Sequence, residues 1–266
     1  MNYIERELAT EIEMRMEFIR SHYNSEVKSR SRKLMTSEIE KTSQVHSYRM
    51  ENPQIIVPFS VPRNKHKKEI RQGIKNIERA FEWGIENFDP GNFDDIFVRE
   101  IAGRVTPELY DTQIAQYRDR NVVISGASVT PPYPTKLIKK EMPEFIQSLR
   151  RQLKCPNDLN KIEAAIYAHL HLARIHPFLD GNGRTARVVQ NVILYHNDIP
   201  PPVIETGERM TYYKMLDQAV LDIDESKAIG HEGAKTEGES LFYNYMAGKI
   251  NASLDKIIYY CNNHFH

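Results

Sequence analysis

The chain has 266 residues and carries 36 basic and 36 acidic side chains, so its formal net charge is zero and neither nucleic acid nor an anionic membrane surface is an expected partner. No stretch reaches the roughly 18 consecutive apolar residues of a membrane helix, and the charged N-terminus "MNYIERELATEIEMRMEF" is unlike a signal peptide. The two cysteines lack metal-binding or redox spacing, so free thiols and a cytoplasmic location are expected.

Helical periodicity dominates the chain and predicts an all-α protein. The first pattern carries an apolar stripe at Ile4, Leu8, Ile12 and Ile19. A second helix is predicted over residues 66–84, and the proline-rich segment "NPQIIVPFSVPRN" before it indicates a linker. Later helical patterns cover residues 93–105, 137–153, 161–175, 184–196 and 239–260.

A single run, "NVVISGASV" at residues 121–129, favours β-structure. Its β-branched residues surround a glycine, and "PPYP" ends it, so the run predicts a short β-hairpin. Residues 222–238 are rich in charge and glycine and are expected to form an exposed loop. The predicted fold is therefore helical with one hairpin.

The segment "HPFLDGNGRTAR" concentrates chemistry-bearing residues after a predicted core helix that would present His176 rigidly. Gly181 and Gly183 permit backbone angles that other residues resist. Successive N–H groups around Asn182 can then point into one anion-binding concavity. A helix is predicted to begin near Arg184, and a helix N-terminus favours phosphate.

The remaining side chains of the segment suit a nucleotide polyphosphate. Arg184 and Arg187 lie three residues apart and can reach the same side of the first helical turn. Asp180 can bind Mg²⁺ together with phosphate oxygens, and His176 is a candidate general base. Taken singly, these residues fit a structural histidine, a plain turn and solvated arginines. Their combination in this order and spacing favours a functional site.

At these residues the chain resembles the Fic-domain family, of the Fic/Doc superfamily. The family motif H-x-F-x-[D/E]-G-N-G-R-x-x-R is met by His176, Phe178, Asp180, Gly181, Asn182, Gly183, Arg184 and Arg187. The resemblance extends over about residues 100–220. It implies a Fic-type helical domain over residues 61–266 with a hairpin flap beside the active site, following an N-terminal helical region at 1–60.

The resemblance implies transfer of AMP from ATP to a hydroxyl side chain of a target protein. In that scheme His176 deprotonates the hydroxyl and Asp180 holds Mg²⁺. The segment Gly181-Asn182-Gly183 cradles the α- and β-phosphates, and the two arginines of the motif, Arg184 and Arg187, position the β- and γ-phosphates.

The resemblance also suggests residues that contact the target and the nucleotide. Val123 and Ile124 in the flap are candidates to clamp an added target strand, or they pack inward as in an ordinary hairpin. Tyr212 and Tyr213 correspond to residues near the adenine and ribose, or they are plain packing. Many relatives carry an asparagine seven residues after the second tyrosine, where this chain has Val220.

Many Fic proteins carry an inhibitory helix with the pattern [S/T]-x-x-x-E-[G/N], whose glutamate pairs with the second arginine of the motif. "TSEIEK" places Thr36 and Glu40 at this spacing and predicts an inhibitory helix around residues 36–42, although Lys41 departs from the pattern. Thr36 could instead cap a helix, and Glu40 could be solvated. A competing site is Glu232-Gly233, where Ala228 replaces Ser or Thr.

Three functions are compatible with the sequence. Autoinhibited AMP transfer is the first, with ATP, an unidentified target protein, self-modification and a homodimer as expected partners. The second is another Fic chemistry, namely transfer of phosphate or another nucleotide, or removal of AMP. The third is a nucleotide-sensing or DNA-associated regulatory module. The intact glycine and arginine half of the motif favours the first.

Overall fold

A computed structural model describes residues 3–23, 26–51, 65–124 and 126–263. The helices of these residues are α1 (Arg6–His22), α2 (Glu26–Glu51), α3 (Lys65–Asn87), α4 (Asp95–Val105), α5 (Pro134–Lys136), α6 (Met142–Leu153), α7 (Asp158–Ile175), α8 (Asn182–His196), α9 (Arg209–Ala228) and α10 (Glu237–Asn263). A π-helical turn (Leu137–Glu141) joins α5 to α6, and 3₁₀ turns occupy Pro107–Leu109 and Thr206–Glu208. The predicted linker at residues 52–64 lies outside the described ranges.

The all-α prediction is confirmed, but the described residues of the segment 121–129 contain no strand. The Ala127 N–H donates to the Ile124 carbonyl at 3.1 Å, which closes a turn beside Gly126. The β-branched run has no neighbouring strand in the described ranges, and an isolated two-stranded hairpin is marginal in water. The described residues of the predicted hairpin therefore form an exposed loop. We call residues 119–133 the flap loop.

Helix α7 lies at the centre of the fold and packs against α6, α8, α9 and α10. Its alanines, including Ala164, Ala165 and Ala168, are fully buried and allow neighbouring helices to approach closely. Helix α8 is buried along most of its length and packs against α3, α4 and α7. The two helices that flank the predicted active-site turn are therefore among the best-packed elements of the protein.

The N-terminal helices pack onto the rest of the structure. Helix α1 contacts α10, and α2 contacts α3, α8 and α10. The predicted loop at residues 222–238 is shorter than expected, because α9 continues to Ala228 and α10 begins at Glu237. Asp222 was predicted to lie in this loop. It lies in α9 and accepts a hydrogen bond from the Gly238 N–H at 2.7 Å.

The described helices include none that combines the length and apolar character needed to cross a bilayer.

Candidate active site

The turn after α7 holds His176 in a fixed orientation. His176 adopts a left-handed conformation (φ 52°) at the end of the helix, and its N–H donates to the Leu172 carbonyl at 3.0 Å. Its ring Nδ1 lies 3.3 Å from the Ala173 carbonyl oxygen. A carbonyl only accepts hydrogen bonds, so Nδ1 carries the proton and Nε2 presents a lone pair. This tautomer is the one that a general base requires.

The surroundings of His176 favour its neutral form. Burial lowers the pKa of the imidazole, and the nearby Arg118 guanidinium lowers it further. The hydrogen bond to Ala173 and the charges of Glu51 and Asp180 act in the opposite direction, but the pKa remains below its ordinary value. A neutral imidazole at physiological pH can accept a proton.

The N-terminus of α8 carries the turn that the sequence predicts to bind an anion. Gly181 precedes the helix in a left-handed conformation (φ 74°), and no side chain among the described residues caps the helix N-terminus. The Asn182 side chain accepts from the Phe178 N–H at 2.8 Å and donates to the Phe178 carbonyl at 2.9 Å. Asn182 therefore clamps the turn with its side chain, and the first N–H groups of α8 remain available to an anion.

Gly181 is expected to tolerate no other residue without strain. Its φ of 74° disfavours L side chains, and an added Cβ would lie 2.7 Å from Thr106 Cγ2. We predict that Gly181→Ala lowers the free energy of unfolding by about 1–2 kcal/mol or more. Gly207→Ala is the matched control, because a Cβ there meets nothing within 4 Å. Thermal melts that show equal stability for the two variants would contradict the prediction.

The two motif arginines both bind the carboxylate of Glu51, which is the last residue of α2. Glu51 accepts from Arg184 Nε at 2.6 Å and from Arg187 Nη2 at 2.7 Å. Ser47, one turn earlier on α2, accepts from Arg187 Nε at 2.7 Å. A Cβ built on Gly183 would lie 2.5 Å from Glu51 Oε1, so the carboxylate lies directly against the first turn of α8.

The structure corrects the prediction that Glu40 pairs with Arg187. Glu40 lies about three helical turns, or about 16 Å, before Glu51 on α2. Its Oε1 is buried and has no hydrogen-bond partner among the described residues, and burial raises the pKa of its carboxyl to about 7. Thr36 lies inside α2 and caps no helix. The competing Glu232 is exposed and pairs with Lys140 at 3.0 Å.

The sequence does contain a signal for Glu51. The stretch "SYRMEN" places Ser47, Glu51 and Asn52 at every position of the inhibitory pattern. "TSEIEK" departs at its last position, so the pattern alone favours the later site. The long helix α2 brings both stretches onto one element, and only its C-terminal end reaches α8 and the arginines.

Asp180 is the motif carboxylate that the sequence predicts to bind Mg²⁺. Its side chain is 64% exposed and lies 3.2 Å from Arg184 Nη2. The described residues contain no group of three or more acidic, histidine or cysteine side chains that could hold a metal by themselves. Mg²⁺ commonly binds one or two carboxylates and completes its shell with water and phosphate, so a lone exposed aspartate beside an anion site fits this ion.

Comparison with known proteins identifies the domain that carries this site. The sequence model of the Fic/DOC family matches residues 92–194. The chain contains a Fic/DOC family domain. Protein adenylyltransferase Fic of Nematostella vectensis is 38% identical over 135 residues, which are 51% of this chain and 30% of that protein. The chain thus spans under a third of the length of this relative.

Solved structures show the same fold beyond the matched Fic domain. A crystal structure of a Fic domain containing signaling protein from Bacteroides thetaiotaomicron superposes with a TM-score of 0.76 at 18% identity, over 96% of this chain and 98% of that one. Fic-1 from C. elegans gives a TM-score of 0.65 at 20% identity, over 94% and 70% of the two chains. At these identities the likeness establishes the fold.

Beyond the matched residues, the structure gives the two predicted nucleotide-side tyrosines on α9 different surroundings. Tyr212 is 1% exposed, its hydroxyl lies 2.7 Å from His169 Nε2, and Arg187 Nη1 donates to it at 3.5 Å. It is therefore a core residue that contacts Arg187, and its placement beside the nucleotide stays a prediction. Tyr213 is partly exposed, and the Arg209 guanidinium lies 5.0 Å from its ring centroid. Val220 is buried and presents no polar group.

The two predicted target-binding residues in the flap loop of the Fic domain differ in solvent exposure. Val123 is 83% exposed, whereas Ile124 is partly buried. Ser128 fastens the loop to α9, because its N–H and hydroxyl donate to the Asp217 carboxylate at 2.8 and 2.6 Å. Arg118 precedes the loop, is buried, and was not identified from the sequence.

Proposed function

We propose that this protein transfers AMP from ATP to a hydroxyl side chain of a target protein and that Glu51 restrains the reaction. The observation that carries the proposal is the Glu51 carboxylate, which Arg184 and Arg187 bind against the N-terminus of α8. Two guanidinium groups and free helix N–H groups also suit phosphate oxygens. The matching relative from Nematostella vectensis is a protein adenylyltransferase, which supports the same chemistry here.

In the proposed reaction, His176 Nε2 removes the proton from a Ser, Thr or Tyr hydroxyl. The hydroxyl oxygen then forms a bond to the α-phosphorus of ATP, and the bond to the departing pyrophosphate breaks. The first N–H groups of α8 bind the α- and β-phosphates, and Arg184 and Arg187 bind the β- and γ-phosphates. The protein contributes mainly positioning and charge stabilisation, as is usual for transfers at phosphorus.

Asp180 is proposed to hold Mg²⁺ beside the phosphates. The ion, when bound, neutralises charge that develops on the phosphate oxygens. Asp180 is suited to this role because its carboxylate is exposed and its ion pair in the described ranges is the 3.2 Å contact with Arg184. A phosphate that takes over Arg184 would leave the carboxylate available to the cation.

The flap loop is proposed to position the target. Arg118 joins both ends of the loop to the turn of His176, and an extended peptide can pair with exposed backbone groups. Val123 offers an apolar contact to the target, since its side chain is exposed, and Ile124 supports the loop from its inner side. Tyr213 remains a candidate contact of the nucleoside, because its ring is not fully buried.

Glu51 is proposed to act as the internal brake. Its carboxylate and the γ-phosphate of ATP are both anions that require the same partner, Arg187. While Glu51 keeps Arg187, the triphosphate cannot take its in-line position. Incubation with ATP and Mg²⁺ followed by intact-mass measurement should therefore show slow addition of one AMP to the wild-type protein itself. A protein that gains AMP neither alone nor after Glu51→Gly would contradict the proposed activity.

Removal of the Asp180 carboxylate is expected to abolish the response to Mg²⁺ together with AMP transfer. We predict that Asp180→Ala lowers the rate to background at any Mg²⁺ concentration. The matched control is Glu232→Ala, which removes an exposed carboxylate that pairs with Lys140. Rates measured over a Mg²⁺ titration check the prediction, and activity of the wild type in excess chelator would contradict it.

A further inference from the structure

Arg118 is a buried cation between the His176 turn and the flap loop. Its side chain is 1% exposed. Its Nε donates to the His176 carbonyl at 2.8 Å, and its backbone N–H donates to the Pro177 carbonyl at 2.9 Å. Its Nη1 donates to the Arg120 carbonyl at 3.0 Å, and Nη2 donates to the Pro132 carbonyl.

The acceptors of this guanidinium make it unusual among the buried arginines described. Arg174, Arg184 and Arg187 each pair with at least one carboxylate. The side-chain hydrogen bonds of Arg118 within the described residues all go to backbone carbonyls. Burial of a charge is costly, and it lowers the pKa of this guanidinium. The guanidinium nevertheless offers a planar fork of donors that suits a fixed set of acceptors.

The acceptors belong to two segments that must cooperate in catalysis. Arg120 and Pro132 lie at the two ends of the flap loop, whereas His176 and Pro177 begin the motif turn. The guanidinium is rigid and planar, so its bonds fix the base of the flap loop relative to the imidazole-bearing turn.

A separate clamp holds the other half of the motif turn. Asn182 bonds the N–H and the carbonyl of Phe178 and so shapes the phosphate-binding half. Within the described part of the chain, the hydrogen bonds of Arg118 go to His176, Pro177, Arg120 and Pro132 and to no residue of that half. The two halves of the turn are thus secured by different side chains, and loss of Arg118 should affect the position of His176 more than the binding of ATP.

We propose that Arg118 is a positioning residue that sets the distance between the His176 base and a target hydroxyl held on the flap loop. This inference rests on the proposed AMP transfer. Arg118 contacts neither the target nor ATP in this role. It acts through the carbonyl of His176 and through the two ends of the flap loop.

The proposal is tested with Arg118→Gln and Arg118→Lys, each combined with Glu51→Gly to release the brake. Misplacement of reacting groups by about 1 Å costs on the order of 10²-fold in rate, and a loss of this size is expected for both variants. Lysine keeps the charge but lacks the planar fork, so it should not restore the rate. Arg15→Gln is the control, because that arginine lies on α1 and pairs with Glu11 and Asp255, away from the flap loop and the motif turn.

ATP affinity, measured by calorimetry, separates positioning from general damage. The Arg118 variants should bind ATP within a few-fold of the Glu51→Gly parent while their transfer rates fall. A normal transfer rate in either variant, or an ATP affinity that falls in proportion to the rate, would overturn the proposal. If Arg118→Gln does not fold, Arg118→Lys alone decides between these outcomes.

A second readout does not depend on AMP transfer. The charged groups that act on His176 are Arg118, Glu51 and Asp180. Because Arg118 lowers the pKa of His176, Arg118→Gln should raise it, as followed by NMR of the labelled imidazole in wild-type background without nucleotide. An unchanged titration would show that Arg118 does not act on the His176 turn. If the titration shifts but the Glu51→Gly parent transfers no AMP, the proposed function fails and the Arg118 contact stands.

Discussion

Replacement of Glu51 by glycine is expected to raise the rate of AMP transfer roughly 10²-fold. Misplacement of reacting groups by about 1 Å lowers a rate by a factor of this size, and removal of the carboxylate lets the triphosphate take its in-line position. The carboxylate bonds Arg187 at 2.7 Å and Arg184 at 2.6 Å and lies against the first turn of α8. Its removal frees both guanidinium groups and the helix N-terminus for the triphosphate. Radiolabel incorporation at equal ATP and Mg²⁺ concentrations measures the change.

Matched variants separate the proposed competition from other effects. Glu40→Gln alters a carboxylate on the same helix that has no contact with the motif arginines, so it should not activate. The gain from Glu51→Gly should vanish when Arg187→Ala is added, because the freed partner is then missing. Equal activation by the Glu40 and Glu51 variants would mean that loosening of α2, not release of Arg187, relieves the inhibition.

Replacement of His176 by alanine is expected to lower AMP transfer by about 10²–10⁴-fold, the usual contribution of a general base. ATP affinity should change little, because the imidazole is assigned to the hydroxyl proton and the phosphates are bound by other groups. The test compares transfer rates and ATP affinity of Glu51→Gly with and without His176→Ala. A double variant that keeps a near-normal rate would exclude His176 as the base.

The pH dependence of transfer follows from the same assignment. Only the neutral imidazole can accept the proton, and burial lowers the pKa of His176. The rate should therefore be constant at neutral pH and fall as the pH drops through that lowered value. Removal of Glu51, whose charge raises the pKa, should move this fall to still lower pH. An acid limb above the ordinary histidine pKa of about 6.5 would contradict the assignment.

Local sequence patterns predict the helices and the central motif because both depend on nearby residues. The 3.6-residue periodicity reports which helix faces are buried, and the glycines around Asn182 report a turn that needs φ > 0 at Gly181. The same local patterns predicted a β-hairpin at the flap loop, where the described residues contain no strand. Its β-branched residues favour extended backbone, but a strand also needs a partner, and no local pattern supplies one.

The contacts between distant segments are the part that the sequence did not yield. Glu51 meets Arg187 only because α2 packs against α8, so the inhibitory pattern favours Glu51 over Glu40 but does not show this contact. In the sequence, Arg118 has no feature that distinguishes it from an ordinary loop arginine. Its burial and its hydrogen bond to the His176 carbonyl are evident only in the fold. Tyr212 and its neighbour Tyr213 are equivalent in sequence and are distinguished only by which one faces the core.

The most direct test of the proposed chemistry compares two labels on ATP in the Glu51→Gly variant. ATP labelled at the α-phosphorus should label the protein or its target, and ATP labelled at the γ-phosphorus should not. The α-label should also disappear when His176→Ala is added. Incorporation of the γ-label would indicate phosphate transfer, and incorporation of neither label would contradict the account of this site as an AMP-transferring centre.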